Sequence, residues 1–372
     1  MAKAKRKTLP KEFDALIEAG DMETLKAVFE TCDINARGGY SKQTALAFRG
    51  CPEELTRWLV ERGADLEAAD SYGETPLHAQ AGYSNGGVAV LIELGANVNS
   101  GDGARGTPLH KAADRGNVDA ARLLLAHGAR ADARNERGQT PLVYALERCS
   151  NIQIVDRAAM AELLLGALEP PPAPARSIMD RLFGRQAQPA SRVTPEMQAS
   201  VERIGTNFEF HRAGFNPDHV EEVSAALDRL YTLFGVRAVP RRAMHDGVSP
   251  ITAKARRWQD QHQELWEMLV PSSGSARTVQ GEVIRISGRV SDEIEGNGGV
   301  NWDGDYRAMT KAFLSHLGSG TPLPTALLDE VTAIVAGLKA TGGETQRLCE
   351  VAVEWVRLNP TAIPLAKPNY DR

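Results

Sequence analysis

The sequence predicts an all-α protein, a solenoid of short repeats followed by a separate C-terminal helical domain. Three observations predict it. Thr-Pro-Leu recurs with its threonines at 75, 107 and 140, a period of 32 and then 33 residues. Gly-Ala recurs at 63–64, 95–96, 128–129 and 166–167, each time after an apolar helical run such as Arg122-Leu123-Leu124-Leu125. Self-similarity at such a period marks a repeat array. After residue 193 the repeat stops, and Thr194-Pro195, Asn216-Pro217 and Ser249-Pro250 each pair a capping side chain with a proline suited to a helix's first turn.

Residues 1–10 form a basic tail, with Lys3, Lys5, Arg6 and Lys7 but no apolar run after them, so they read as a solvated arm rather than an export signal. Phe13–Ile17 and Leu25–Phe29 are then the helix pair of an N-terminal cap. Gln43-Thr44-Ala45-Leu46 is a degenerate unit, with Ala45 and Ala47 where the later units have proline and histidine. In those later units Thr75, Thr107 and Thr140 cap a first helix, and Pro76, Pro108 and Pro141 occupy its first turn. Gly63, Gly95 and Gly128 suit the left-handed residue that ends a second helix, and Leu77, Leu109 and Leu142 face the stacking core. The last unit has Val143 for histidine and an insertion around Cys149–Ile152 before Met160–Leu165 closes it as a C-terminal cap.

The Thr-Pro-Leu-His signature, recurring in register, resembles an ankyrin-repeat array of about five units including caps, covering residues 11–168. The resemblance implies that His78 and His110 are scaffold, each bonded to the neighbouring turn. It also implies a partner that is another protein, held by the concave face and the fingertips. Gly101-Asp102-Gly103-Ala104-Arg105-Gly106 matches the dinucleotide pattern GxGxxG, yet it follows no strand of a βαβ unit and runs straight into Thr107-Pro108, so it is a repeat turn.

Fingertips fall at Tyr40 and Ser41, Ser71 and Tyr72, Gly103 and Ala104, and Glu136 and Arg137. The first helices present Phe48, Tyr83, Lys111, Arg115, Tyr144 and Arg148. Aromatic and arginine side chains anchor protein interfaces, because they bury a large area with few rotors or make forked hydrogen bonds. Tyr40, Phe48, Tyr72, Tyr83, Lys111, Arg115, Arg137, Tyr144 and Arg148 are therefore the candidate partner-binding residues.

Residues 169–193, with Glu169-Pro170-Pro171-Pro172-Ala173-Pro174, are a Pro-rich linker. Within it Ser177–Phe183 has helical spacing and suits a short docking helix for a partner or, as the preferred reading, for the protein's own body. Residues 194–372 carry apolar stripes for about seven helices, one of them running from Ile251 through Trp258 and Leu265 to Leu269. From Thr278 onward Val279, Val283, Ile286, Val290 and Ile294 share one side, and Glu282, Arg285, Arg289, Asp292 and Glu293 the other, the pattern of a solvated, salt-bridged face. Glu282, Arg285, Arg289, Asn301 and Asp303 are the densest polar cluster, with Asp303 or Asp305 placed to cap the next helix. No HExxH, P-loop lysine motif or nucleophile elbow occurs, so no catalytic residue, cofactor or metal is assigned.

The 372 residues suffice for two or three domains, with 42% hydrophobic and 24% charged residues as in ordinary globular chains. Net charge is -5, and neither half is the basic body that phosphate neutralisation needs, so nucleic acid is not an expected partner. The chain lacks the roughly 20-residue apolar stretch of a membrane span. Four scattered cysteines without a CxxC pair fit a reducing cytoplasm. Of 43 basic residues 32 are arginine, a bacterial compositional habit. The expected function is a cytoplasmic bacterial ankyrin protein that binds and modulates or neutralises a partner protein, in the manner of an immunity factor or inhibitor. The alternative is an enzyme or effector whose helical half acts on a substrate recruited by the repeats.

Overall fold

A computed structural model describes residues 4–101, 105–168, 191–341 and 344–370. The Pro-rich run at 169–174, the helix expected at 177–183 and the fingertip at Gly103 and Ala104 lie outside the described residues. The chain is mostly helical, and its contacts divide it into two compact units: Met1–Phe208 with Asn216–Val239, and Glu209–Phe215 with Pro240–Arg372. The boundary expected at 194 thus falls inside the first unit.

The first unit opens with strands rather than a free arm. β1 (Arg6–Thr8) pairs parallel with β2 (Cys32–Gly38), which pairs antiparallel with β3 (Gln43–Thr44). Lys5 Nζ donates to the Phe29 carbonyl at 2.6 Å, and Leu9 is buried beside Phe13 in the first core. Residues 4–8 are exposed, and these contacts anchor them to the fold: β2 leaves one edge open, and three residues are too few for a strand period to be read. Between the strands lie α1 (Phe13–Ala19) and α2 (Met22–Thr31), the expected cap pair. The degenerate unit forms only a 3₁₀ turn at Ala45–Ala47 before α3 (Glu53–Glu61).

Three helix pairs follow: α4 (Pro76–Ala81) with α5 (Val88–Glu93), α6 (Pro108–Arg115) with α7 (Val118–Ala126), and α8 (Pro141–Glu147) with α9 (Ile154–Ala167). Thr75 and Thr107 close capping boxes with His78 and His110, while Thr140 accepts a bond from the Val143 amide. His78 accepts at Nδ1 from the Thr75 amide, so its neutral ring donates from Nε2 to the Gly106 carbonyl at 3.0 Å. His110 does the same between Thr107 and the Gln139 carbonyl, also at 3.0 Å. A Cβ on Gly101 would lie 2.7 Å from His78 Nε2, and one on Gly106 would lie 2.6 Å from the His110 ring. Two glycines of the GxGxxG match thus make room for imidazoles.

A second set of bonds ties each unit to the end of the preceding first helix, whose last carbonyls have no intrahelical partner. Gln80 donates to the carbonyls of Leu46 and Phe48, and Asn117 to those of Ala81 and Tyr83. Arg157, wholly buried, donates to Ala113 and Asp114, and Arg203 to Leu146 and Glu147. Arg203 belongs to α10 (Pro195–His211), and α11 (Pro217–Phe234) packs against α9. The array therefore ends on helices that lie beyond its last repeat.

The second unit contains α12 (Trp258–Leu269), α13 (Val279–Ser291) continued by a π-helical turn at Asp292–Gly296, α14 (Gly304–Leu317), α15 (Thr325–Thr341) and α16 (Thr345–Leu358). Ser249-Pro250 starts no helix. Asp246 takes the Ser249 amide and hydroxyl into a local turn, and the Ile251 amide donates to the Pro360 carbonyl at 2.7 Å, which holds this stretch extended. α13 runs through the middle, packed by α12, α14 and α16, and ten of its 13 residues are buried. The solvated face expected for Glu282 and Arg285 is corrected accordingly, because both side chains are enclosed by the packed helices, while Arg289 is half-buried and Asp292 exposed.

Candidate functional site

The candidate residues of the repeats lie on fingertips whose backbone is set by short side chains. Asp70 accepts from the amides of Tyr72 and Glu74 at 2.8 and 3.0 Å, with Gly73 at φ +79° closing the turn. Asn135 repeats this with the amides of Arg137 and Gln139, both at 3.0 Å. Such turns hold Tyr72 and Arg137 outward without help from their own side chains. Successive fingertips are joined directly, since the Ser71 amide and hydroxyl both donate to the Ser41 carbonyl at 2.8 Å.

On this frame Tyr40 and Tyr72 face each other, ring centroids 6.4 Å apart, and the Arg105 guanidinium lies 4.7 Å from the Tyr72 ring. Tyr40 is 93% and Tyr72 42% exposed, so the two rings rest on each other and on Arg105 rather than in a core. Arg105 also reaches Glu74, which takes both its carboxylate oxygens to Lys111 Nζ at 2.7 Å. Burial pushes the Glu74 carboxyl up, but Lys111 and Arg105 outweigh it and hold the group below its ordinary value. The structure thereby brings Tyr40, Tyr72 and Lys111 into one connected patch. Arg105 and Glu74, which link them, were not legible as site residues. The only signal was Glu74 in Gly-Glu-Thr-Pro, a charged residue one step before a buried cap.

A second group gathers at the later repeats. Arg148 lies 5.2 Å from the Tyr144 ring and pairs with Asp114 at 2.7 Å, and that pairing raises the Arg148 pKa. Tyr83 is half-buried, with Arg49 at 5.8 Å from its ring, and burial pushes its phenol up. Arg115 and Arg137 are exposed. Phe48 does not belong to the surface: it is 1% exposed and packs edge-on to Phe13 at 5.1 Å, because the short 3₁₀ turn leaves the residue after it pointing inward.

The five polar residues of the second unit separate into different roles. Glu282 and Arg285 form an ion pair at 2.6 Å with no exposure on either side chain, completed by the Ala276 amide and the Tyr370 hydroxyl, which both donate to Glu282. Burial raises the Glu282 pKa, yet Arg285 and these donors leave it below its ordinary value, while burial pushes the Tyr370 phenol well up. Asn301 donates to Glu293 from its amide at 2.6 Å, and Asp303 caps α14 by accepting from Asp305 and Tyr306. Arg289 lines a cavity of about 410 Å³ with His262, Trp266, Asp292 and Tyr306. Among the described residues no group of three or more His, Cys, Asp or Glu is placed to hold a metal, and no helix is long and apolar enough to cross a membrane.

Residues 79–167 match the family model for ankyrin repeats (3 copies). Comparison with curated proteins finds no match.

Proposed function

We propose, from the premise that residues 79–167 are ankyrin repeats and so a protein–protein interaction module, that the array grips one protein by its concave face and fingertips and thereby modulates or neutralises it. The observation that carries this is the ladder Tyr40, Tyr72 and Arg105, three large side chains in contact with one another outside any core. Buried scaffold bonds account for His78, His110 and Gln80, whereas the ladder links neighbouring fingertips at the surface, where its exposed rings suit an interface anchor. A net charge of -5 disfavours nucleic acid as the partner. Four free cysteines suit a reducing cytoplasm, and the arginine-rich usage suits a bacterial one. The enzymatic alternative draws no support from Glu282 and Arg285, paired with each other inside the fold, or from Asp303, which caps α14.

The full chain used as bait in its native cell should retain a specific protein, and that protein's own activity should fall when the bait is added. Tyr40→Ala with Tyr72→Ala should weaken capture about thirtyfold or more, as expected for loss of interface anchors, and Arg115→Ala should weaken it further. Undiminished capture by the double variant at unchanged melting temperature would overturn the assignment of this face.

A further inference from the structure

The first helices of the array carry more positive charge than the carboxylates beside them can meet. Glu74 gives both its oxygens to Lys111 Nζ at 2.7 Å, and Arg105 reaches the same carboxylate only at 3.4 Å. One carboxylate thus serves two cations, and the Arg105 side chain stays 52% exposed. Its guanidinium is set 4.7 Å from the Tyr72 ring, which fixes its position and leaves most of its donors open.

The surplus continues beside Tyr83. Arg49 lies 5.8 Å from that ring, and Arg115, the last residue of α6, acts on the same phenol. Both are exposed, and neither has an ion pair among the described residues. The carboxylates that act on Tyr83 are Glu74, already taken, and Asp14. Four cations, Arg49, Arg105, Lys111 and Arg115, therefore stand against two carboxylates. Asp114, next to Arg115, is held by Arg148 at 2.7 Å. Other arginines of the array are answered, Arg57 by Glu53 and Glu93 and Arg130 by Asp132.

The stretch is continuous. A Cβ on Gly82 would lie 3.1 Å from Lys111 Cε, so the lysine stem crosses the residue next to Tyr83 and joins the Arg105 end to the Arg49 and Arg115 end. α4 packs against α6, which ends in Arg115, and against the 3₁₀ turn that precedes Arg49. Two helix spacings of about 8–10 Å each separate those outer arginines. About six extended residues, at roughly 3.3 Å each, cover that span.

We propose that this face takes an extended acidic segment of the partner protein, whose carboxylates accept from Arg49, Arg105 and Arg115 and whose chain crosses Tyr83. The inference rests on the reading that the array grips a protein, and adds the chemistry of what is gripped. A guanidinium fork matches a carboxylate with two parallel hydrogen bonds and gives up its water more readily than an ammonium does, so three arginines favour carboxylates over a neutral segment. The ring contacts of Arg49 and Arg105 reduce the ordering that binding must still impose.

The test titrates the full chain by calorimetry with octaglutamate, with octaglutamine and with a single-stranded oligothymidylate of the same length. Octaglutamate should bind and octaglutamine should not, and raising salt from about 50 to 500 mM should weaken the binding severalfold. Arg49→Ala with Arg115→Ala, and separately Arg105→Ala, should each weaken it about tenfold. Arg62→Ala, whose guanidinium lies over Trp58 at the end of α3, should leave it unchanged. The proposal fails if octaglutamate binds no better than octaglutamine, if the oligothymidylate binds more tightly, or if the Arg49 and Arg115 double variant keeps full affinity. In native-cell capture, a protein lost with Tyr40→Ala and Tyr72→Ala but fully retained by that arginine variant removes this proposal and leaves the gripping reading standing. Octaglutamate binding by a chain that captures no protein keeps the acidic preference of the face and counts against the gripping reading instead.

Discussion

The two units bury polar side chains in opposite ways. In the repeat unit they recur: His78 and His110 each link a helix start to the next turn, and Gln80, Asn117, Arg157 and Arg203 each reach back to the end of a preceding helix. Their partners are backbone carbonyls, neutral groups that are present whatever the sequence. In the second unit the central polar feature occurs once, the Glu282–Arg285 pair with Tyr370, and it consists of opposite charges that must be buried together. Recurrent bonds to neutral carbonyls spread their cost along the array, even where Arg157 and Arg203 bring a charge to them. The Glu282–Arg285 pair instead concentrates two charges at one place, so removing one partner of that pair should hurt more than removing one rung of the array.

The largest effect should come from Glu282→Ala, which leaves the Arg285 charge buried and unpaired and should cost about 3–5 kcal/mol. Denaturant unfolding should show the transition of the second unit displaced and that of the repeats in place. Glu282→Leu combined with Arg285→Leu should recover most of the loss, and failure to do so would break the contrast.

Arg157→Ala should come next, at about 1–3 kcal/mol, because the carbonyls of Ala113 and Asp114 lose their donors inside the array. Asn117→Ala, which strips the same kind of bond from a half-buried residue, should cost less. An equal or larger loss than for Glu282→Ala would overturn the ranking of the two units.

Acid should affect the repeats through their histidines. Burial lowers the pKa of His78 and His110 below the ordinary 6.5. The folded state then holds fewer protons than the unfolded one, so their contribution is complete above pH 6.5 and is lost as pH falls below it. His262 in the second unit, pushed down to about 4 by burial, acts with the same sign. The measurement is therefore the difference between the unaltered chain and a His78→Gln, His110→Gln variant, whose stability should fall less steeply between neutral and mildly acid pH.

The smallest effect should be Tyr40→Ala. At 93% exposure it should change stability by less than about 0.5 kcal/mol, in a thermal melt, while altering capture of the partner.

What the sequence disclosed follows the same division. Thr75, Thr107 and the prolines after them were legible because capping is local chemistry repeated in register. The fingertip positions of Tyr40 and Tyr72 followed from that register, but their link through Arg105 and Glu74 spans neighbouring units and leaves no local mark. Phe48 was misplaced because a register carried over from full helices does not apply to a 3₁₀ turn. Ser249-Pro250 failed because Asp246, three residues earlier, took the serine first. The α13 face failed for a reason of packing: opposite charges three apart look alike whether water or protein surrounds them, and only the enclosing helices decide.

The back-reaching side chains carry a consequence for ancestry and engineering. To the farther of their two carbonyls they bridge 34, 36, 44 and 57 residues for Gln80, Asn117, Arg157 and Arg203, and a glutamine, an asparagine and two arginines fill equivalent places. Each rung has its own length and its own chemistry, so the modules are not interchangeable. Duplicating, deleting or shuffling one would leave a helix end facing a side chain cut for a different neighbour, and this array should resist the recombination that uniform arrays tolerate.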